Sequence, residues 1–131
     1  MIFEMIKALE AVLLSSENAT SLANFYRDKV GLKVNEEMEI GDKGEKGFDI
    51  TFGSGASLYI LDHSKVKGKS NQPERVMFNL EVDDIEKEVQ RLKDAGVKVV
   101  QDVYHVEGYG LIATFEDLDG NYFQFVQVRS S

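Results

Sequence analysis

The sequence predicts an α+β fold made of two βαβββ modules in tandem. Three observations carry this expectation. Short apolar runs bounded by turn residues combine with amphipathic runs in the order strand, helix, strand, strand, strand, and that order occurs twice. Directly after each predicted helix stands a matching tetrapeptide, Gly31-Leu32-Lys33-Val34 and Gly96-Val97-Lys98-Val99, 65 residues apart. Between the halves lies one stretch of different character, His63 to Arg75, with Lys65, Lys67, Gly68, Lys69 and the only proline, Pro73.

Each element has a local reason. Ala8 to Leu14 is a short apolar run that ends at Ser15 and Ser16, as a strand entering a turn does. From Asn18 onward Leu22, Phe25, Tyr26 and Val30 share one helical face, with Asn18 or Thr20 as cap and Gly31 as stop. Three strands follow, about Leu32 to Ile40, Phe48 to Phe52 and Ser57 to Asp62, parted by Gly41, Gly44 and Gly47 and then by Gly53 and Gly55. The acidic Glu36, Glu37 and Glu39 suit a solvated edge strand. Module one thus spans about 8–62, and the linker 63–75. Module two, about 76–128, opens with the strand Val76 to Val82. Asp83 and Asp84 then cap a helix carrying Ile85, Val89 and Leu92 on one face and ending at Gly96. Strands Val97 to Val103, Gly110 to Glu116 and Tyr122 to Val128 complete it, the last preceded by a tight turn through Asp117, Asp119, Gly120 and Asn121.

Composition bounds the function. With 131 residues, 43% hydrophobic and 29% charged, the chain is expected to form one globular domain over 1–131. A half of about 65 residues buries little surface alone, so the halves are expected to share a core or to pair with another chain, and a homodimer is expected. The absence of cysteine excludes disulfides, thiolate metal sites and a Cys nucleophile. Fifteen Lys plus Arg against 23 Asp plus Glu leave a net charge of −8, which opposes polyanions, so neither nucleic acid nor a membrane surface is an expected partner. Met1 to Ser16 is apolar, but Glu4, Lys7 and Glu10 interrupt it and no cleavage-like site follows, so a cytoplasmic protein is expected.

Three segments carry a family resemblance: Asn18 to Leu32 (NATSLANFYRDKVGL), Phe78 to Gly96, and Phe115 to Val126 with Asp117, Leu118, Asp119, Gly120 and Asn121. The sequence resembles the vicinal oxygen chelate superfamily, which contains glyoxalase I, extradiol dioxygenases and the bleomycin-resistance proteins. That family usually writes the last turn Asp-Pro-Asp-Gly-Asn, from which Leu118 departs. The resemblance implies sheets curled around a cleft, and in the metal enzymes a divalent ion held by four inward side chains.

Strand alternation assigns the cleft-facing residues of such a fold. Val76, Phe78, Leu80 and Val82 form an apolar face for the helix, leaving Met77, Asn79 and Glu81 for the cleft. In the last strand Tyr122, Gln124 and Val126 oppose Phe123 and Phe125, with Gln127 on the helix side where the buried stretch ends. Ala11, Leu13 and Ser15, then Tyr59 and Leu61, take the cleft side in module one. The family's four metal positions therefore fall on Ala11, Tyr59, Met77 and Gln124, which lack imidazole and carboxylate, so no metal is expected and no other cofactor. Glu10 lies one residue from the first position and faces the other way. His63 reads as a solvated linker residue, and His105 as part of a loop, His105 to Tyr109, that can fold over the cleft. Glu81 reads as a solvated carboxylate at a strand end, so no catalytic residue is assigned.

The expected ligand-binding set is Tyr59, Met77, Asn79, Tyr109, Tyr122 and Gln124, aromatic and thioether surface with a few uncharged hydrogen-bonding groups. It fits a small organic molecule, neutral or cationic, bound or sequestered without a metal, as the bleomycin-resistance proteins do. Two other readings stand beside it: a metal-dependent lyase, isomerase or dioxygenase of the same superfamily, and a structural or regulatory partner domain.

Overall fold

The computed structural model describes residues 5–129. Both modules are present, and their sheets have the same construction. In module one, β1 (Ala11–Ser16), α1 (Ala19–Phe25), β2 (Glu36–Glu39), β3 (Lys46–Thr51) and β4 (Ser57–Asp62) follow in order, and the sheet runs β1-β4-β3-β2. Module two repeats this with β5 (Phe78–Glu81), α2 (Ile85–Asp94), β6 (Lys98–Val106), β7 (Gly110–Glu116) and β8 (Tyr122–Val128), its sheet running β5-β8-β7-β6. In each sheet the first and last strands pair in parallel, and the other pairs are antiparallel. The chain packs as two compact units. One holds the residues up to Ala23 together with Leu32–Lys67, and the other holds Asn24–Gly31 together with the residues from Gly68 on.

In the first unit, Leu58 and Ile60 of β4 stand in register with Ile50 and Phe48 of β3, and all four are buried with Ala19, Leu22 and Ala23 of α1. Asp62 closes this unit. Its Oδ1 accepts from the Ala19 N–H at 2.7 Å and its Oδ2 from the Lys46 N–H at 2.8 Å, so one carboxylate holds both the helix start and the β3 entry. Asn18 Oδ1 takes the Ser21 N–H at 3.1 Å, so of the two caps the sequence offers, Asn18 or Thr20, Asn18 makes this bond.

In the second unit, Phe115 stacks on Phe123, Phe125 meets both edge to face, and the three lie with Ile85, Val89 and Leu92 of α2 in one buried layer. The segment after α1 joins them. Over Tyr26–Val30 the helix widens to a π turn, whose end is closed by the Gly31 N–H on the Tyr26 carbonyl at 2.9 Å with Gly31 at φ 95°. This turn buries Tyr26 completely and sets it against Phe78 and Phe123. Gly96, at φ 81°, ends α2 as Gly31 ends the first helix, so the repeated tetrapeptides mark equivalent helix stops.

The turn before β8 is built on Asp117, which is buried. Its Oδ1 accepts from the N–H groups of Asp119 and Asn121, and its Oδ2 accepts from the Asn121 side-chain amide and, at 2.6 Å, from the Tyr26 hydroxyl. The Ser70 N–H donates to the Asp119 carbonyl, so the Pro-containing linker is fastened to this turn.

Several boundaries differ from the sequence expectation. β1 begins at Ala11 rather than Ala8, because residues 5–10 lie exposed; the first four residues of the Met1–Ser16 reading lie outside the described ones. β2 is confined to Glu36–Glu39, an exposed edge strand as its glutamates suggest. β5 covers only Phe78–Glu81, and Val76, assigned to the helix face, is 71% exposed because it precedes the pairing with β8. β6 runs on to Val106 through two bulges, which takes His105 out of the expected loop and into the strand opposite Leu111. The tight return that follows uses Gly108 at φ 78° and Gly110 at φ 144°; a Cβ on Gly110 would fall on the Gln127 carbonyl.

Candidate functional site

The face of the second sheet opposite its phenylalanines carries the candidate site. Register across the four strands sets Asn79 of β5 beside Gln124 of β8, Gln124 beside Thr114 of β7, and Thr114 beside Gln101 of β6. A row of amides and a hydroxyl therefore crosses the whole sheet. Alternation is the cause, since the buried Phe123 and Phe125 turn Gln124 to the other side. The Gln124 amide donates to Thr114 Oγ1 at 2.8 Å, and the Asn79 amide donates to the Tyr109 hydroxyl at 3.2 Å.

Tyr109 comes from the β6–β7 turn. Its N–H bonds to the Val106 carbonyl and its own carbonyl accepts from the Arg129 N–H, which fixes the backbone that presents the ring to Asn79. Tyr122 lies on the same face two residues before Gln124, in register with Glu116. Tyr104 of β6 shares this face through its pairing with Ile112 and is exposed. Charge stays at the margins: Glu81 is exposed in register with Val126, and Glu116 is paired with Lys98 at 3.4 Å. Of the expected set, Asn79, Tyr109 and Gln124 are thus joined by hydrogen bonds and register, with Tyr122 next to them. Met77 precedes β5 and is exposed. Tyr59 belongs to the first unit, between Leu13 and Asp49 on the open face of that sheet.

The four positions that the resemblance assigns to a metal stand as follows against the strand register. Ala11 is in register with Ser57, two residues before Tyr59, and Met77 lies two residues before Asn79, the partner of Gln124. Methyl, phenol, thioether and neutral amide are the groups at these positions, and this donor set does not fit a divalent ion. Among the described residues no group of three or more His, Asp or Glu side chains gathers to replace them. His63 accepts the Lys65 N–H on Nδ1 in the first unit. His105 lies on β6 rather than in the expected surface loop, and it faces the side opposite to Tyr104, so it turns away from the candidate row. Glu10 is exposed and meets β4 through its carbonyl, which accepts the Ser57 N–H.

Gln127, expected on the helix side where the buried stretch of β8 ends, holds a helix. Gln127 Oε1 accepts the Ile85 N–H at 2.9 Å, so β8 caps α2 as Asp62 of β4 caps α1. The equivalence of Asp62 and Gln127, 65 residues apart, was the sequence signal available for it.

Comparison with known proteins agrees with this construction. SA1046 from S. aureus is 28% identical, with a TM-score of 0.66 over 95% of this chain and 99% of that one. TnmS3, an antibiotic binding protein from Streptomyces sp. CB03234, is 22% identical with a TM-score of 0.77, covering 97% of this chain and 100% of that one. The trypanothione-dependent glyoxalase I of Leishmania major is 16% identical with a TM-score of 0.73, covering 93% and 87%. None of the curated protein sequences compared matches the chain. A family profile matches residues 8–125, and with its two βαβββ modules the chain belongs to the Glyoxalase/Bleomycin resistance protein/Dioxygenase superfamily.

Proposed function

We propose that the protein binds or sequesters a small organic molecule, neutral or cationic, on the face of its second sheet opposite the phenylalanines, and does so without a metal ion. The observation that carries this reading is the uncharged row Asn79, Gln124, Thr114 and Gln101, flanked by the rings of Tyr109 and Tyr122. Amides set the orientation of a ligand and aromatic faces supply contact area. A general acid or base is not among these groups, and the donor chemistry at Ala11, Tyr59, Met77 and Gln124 does not suit a Lewis-acid site. Tyr59 stands 65 residues before Gln124 and is the equivalent candidate contact on the first sheet, while Met77 adds a polarizable thioether before β5. The fold likeness to an antibiotic binding protein supports a binding role. In this reading the protein works as a cytoplasmic homodimer.

Native mass spectrometry of the purified full chain tests the assembly and the metal together. The expected spectrum is a dimer free of divalent metal. Stoichiometric metal that survives desalting overturns the reading, as does a monomer for the dimer. Ligand binding is then followed by tyrosine fluorescence with a panel of planar aromatic amines and their neutral analogues, the chain having five Tyr and no Trp. Gln124→Ala and Asn79→Ala are each expected to weaken the best binder by about tenfold, the loss of one well-placed hydrogen bond. Unchanged affinity in both variants places the ligand elsewhere.

A further inference from the structure

The face of the second sheet that carries the amide row also carries an apolar row, one step further along the strands. Glu81, Val126, Ile112 and Tyr104 stand in register across β5, β8, β7 and β6. Alternation puts Val126 and Ile112 on the side opposite Phe123, Phe125 and α2, where neither the phenylalanines nor the helix can cover them. Val126 is nevertheless only 3% exposed and Ile112 8%, whereas Val128, two residues on and on the same side, is 44% exposed. An aliphatic pair sealed on one patch of a face has a local cover.

Tyr109 is placed to be that cover. Its carbonyl accepts from the Arg129 N–H, just past the end of β8, and its hydroxyl accepts from the Asn79 amide, beside Gln124. Val126 lies on β8 between these two anchors, so the path from the Tyr109 backbone to its hydroxyl runs over it. The two ends are held unequally. The backbone is fixed by bonds to Val106 and Arg129 of 3.0 and 2.9 Å, whereas the tip of the ring is held by one bond of 3.2 Å between exposed groups. Rotation about the side-chain bonds therefore releases the ring while the turn stays in place.

We propose that the Tyr109 side chain is a built-in competitor for the binding face, and that the ligand displacing it carries a phenol group, set on Val126 and Ile112 with its oxygen at the Asn79 amide. This rests on the reading of the amide row as a binding site and names the chemical class that the site takes. The ligand's ring gains the contact with the aliphatic floor, and its hydroxyl repeats the bond that Tyr109 makes. Gln124 and Thr114, next in the row, are left for the rest of the molecule. The displaced ring stays tethered at the edge of the site and flanks the bound ligand. Apparent affinity is then the intrinsic affinity multiplied by the fraction of molecules in which the ring stands aside.

The test uses p-cresol, which is the tyrosine side chain as a free molecule, and toluene, the same ring without the hydroxyl. Each is titrated into the ¹⁵N-labelled full chain, as wild type and as Tyr109→Ala. The Ala variant keeps the turn, whose positive φ angles belong to Gly108 and Gly110. Saturable shifts are expected in it at Asn79, Ile112, Gln124 and Val126, with p-cresol bound at least about tenfold more tightly than by wild type. Toluene is expected to bind the variant at least about threefold more weakly than p-cresol, for want of the hydrogen bond. Tyr109→Phe keeps the ring and loses only the bond at its tip, so its p-cresol affinity falls between the two; should the Ala variant fail to fold, this difference from wild type carries the test. Equal p-cresol affinity with and without the Tyr109 side chain, or no saturation in the folded Ala variant, overturns the proposal, and equal affinity for p-cresol and toluene overturns the phenol assignment. Planar amines that still bind wild type through Gln124 while p-cresol ignores the Tyr109 substitutions leave the binding reading standing and remove only the competitor.

Discussion

Asp117 concentrates four hydrogen bonds on one buried carboxylate, and Tyr26 supplies the one that comes from farthest along the chain. Burial raises the Asp117 carboxyl above its ordinary range, against the lowering effect of the bonds from Tyr26 and Asn121. Burial and the Asp117 charge together hold the Tyr26 hydroxyl well above its usual value, so it remains a donor. A raised carboxyl means that the folded protein binds its proton more tightly than the unfolded chain does. The stability Asp117 contributes is therefore full below its unfolded pKa, near about 4, and declines as pH rises through the folded value. Asp117→Asn removes the titration along with some of the bonds. The stability gap between wild type and this variant is expected to narrow from about pH 4 to about pH 7 in urea denaturation. A gap that is constant or widens refutes the assignment. The Asp-rich turn itself was legible, since Asp117, Gly120 and Asn121 are turn residues in order. Its bond to Tyr26 was not, because nothing in a core-spaced tyrosine says where its hydroxyl will end.

The helices are held from strands rather than by their own caps alone. Asp84 accepts the Lys87 N–H at 3.3 Å, a long bond, whereas Gln127 takes the Ile85 N–H at 2.9 Å from across the unit. Gln127→Ala is expected to cost about 1 kcal/mol of unfolding free energy, the ordinary value of a lost cap, with Gln127→Glu retaining most of it because a carboxylate also accepts and suits a helix start. Urea denaturation of the three proteins checks this; an Ala variant as stable as wild type shows that Asp84 suffices. Periodicity made the elements readable, and β4, β7 and β8 have the bounds the sequence suggests. It failed at strand ends, where pairing decides. Val76 has strand-like composition but no neighbour in the sheet, and His105 sits in a strand because β6 follows β7 past two bulges until Gly108 allows the turn. The same limit applies to the site: the side of Asn79 and Gln124 followed from alternation, but the reach of Tyr109 to Asn79 depends on that turn.

At the scale of the whole chain, the net charge of −8 acts on any ligand before contact. No described helix is long and apolar enough to cross a membrane, and the acidic excess opposes anionic surfaces. The candidate row is itself uncharged, with the Glu116 carboxylate beside it countered by Lys98, so short-range contacts there do not distinguish a cation from its neutral isostere by an ion pair. Discrimination must come from the field of the whole molecule and from the tyrosine rings, and these two sources respond differently to salt. The field is screened over a length that falls from about 20 Å at about 20 mM salt to about 7 Å at about 200 mM. Attraction between a cation and an aromatic face in contact is nearly unaffected over that range. If the field supplies the preference, a planar cationic ligand loses about threefold in affinity across it while the neutral analogue keeps its affinity. Fluorescence titrations of the pair at the two salt concentrations separate the cases. Equal salt response of the two ligands removes the net charge as a source of selectivity and leaves Tyr109 and Tyr122, whose replacement by Leu then has to abolish the preference.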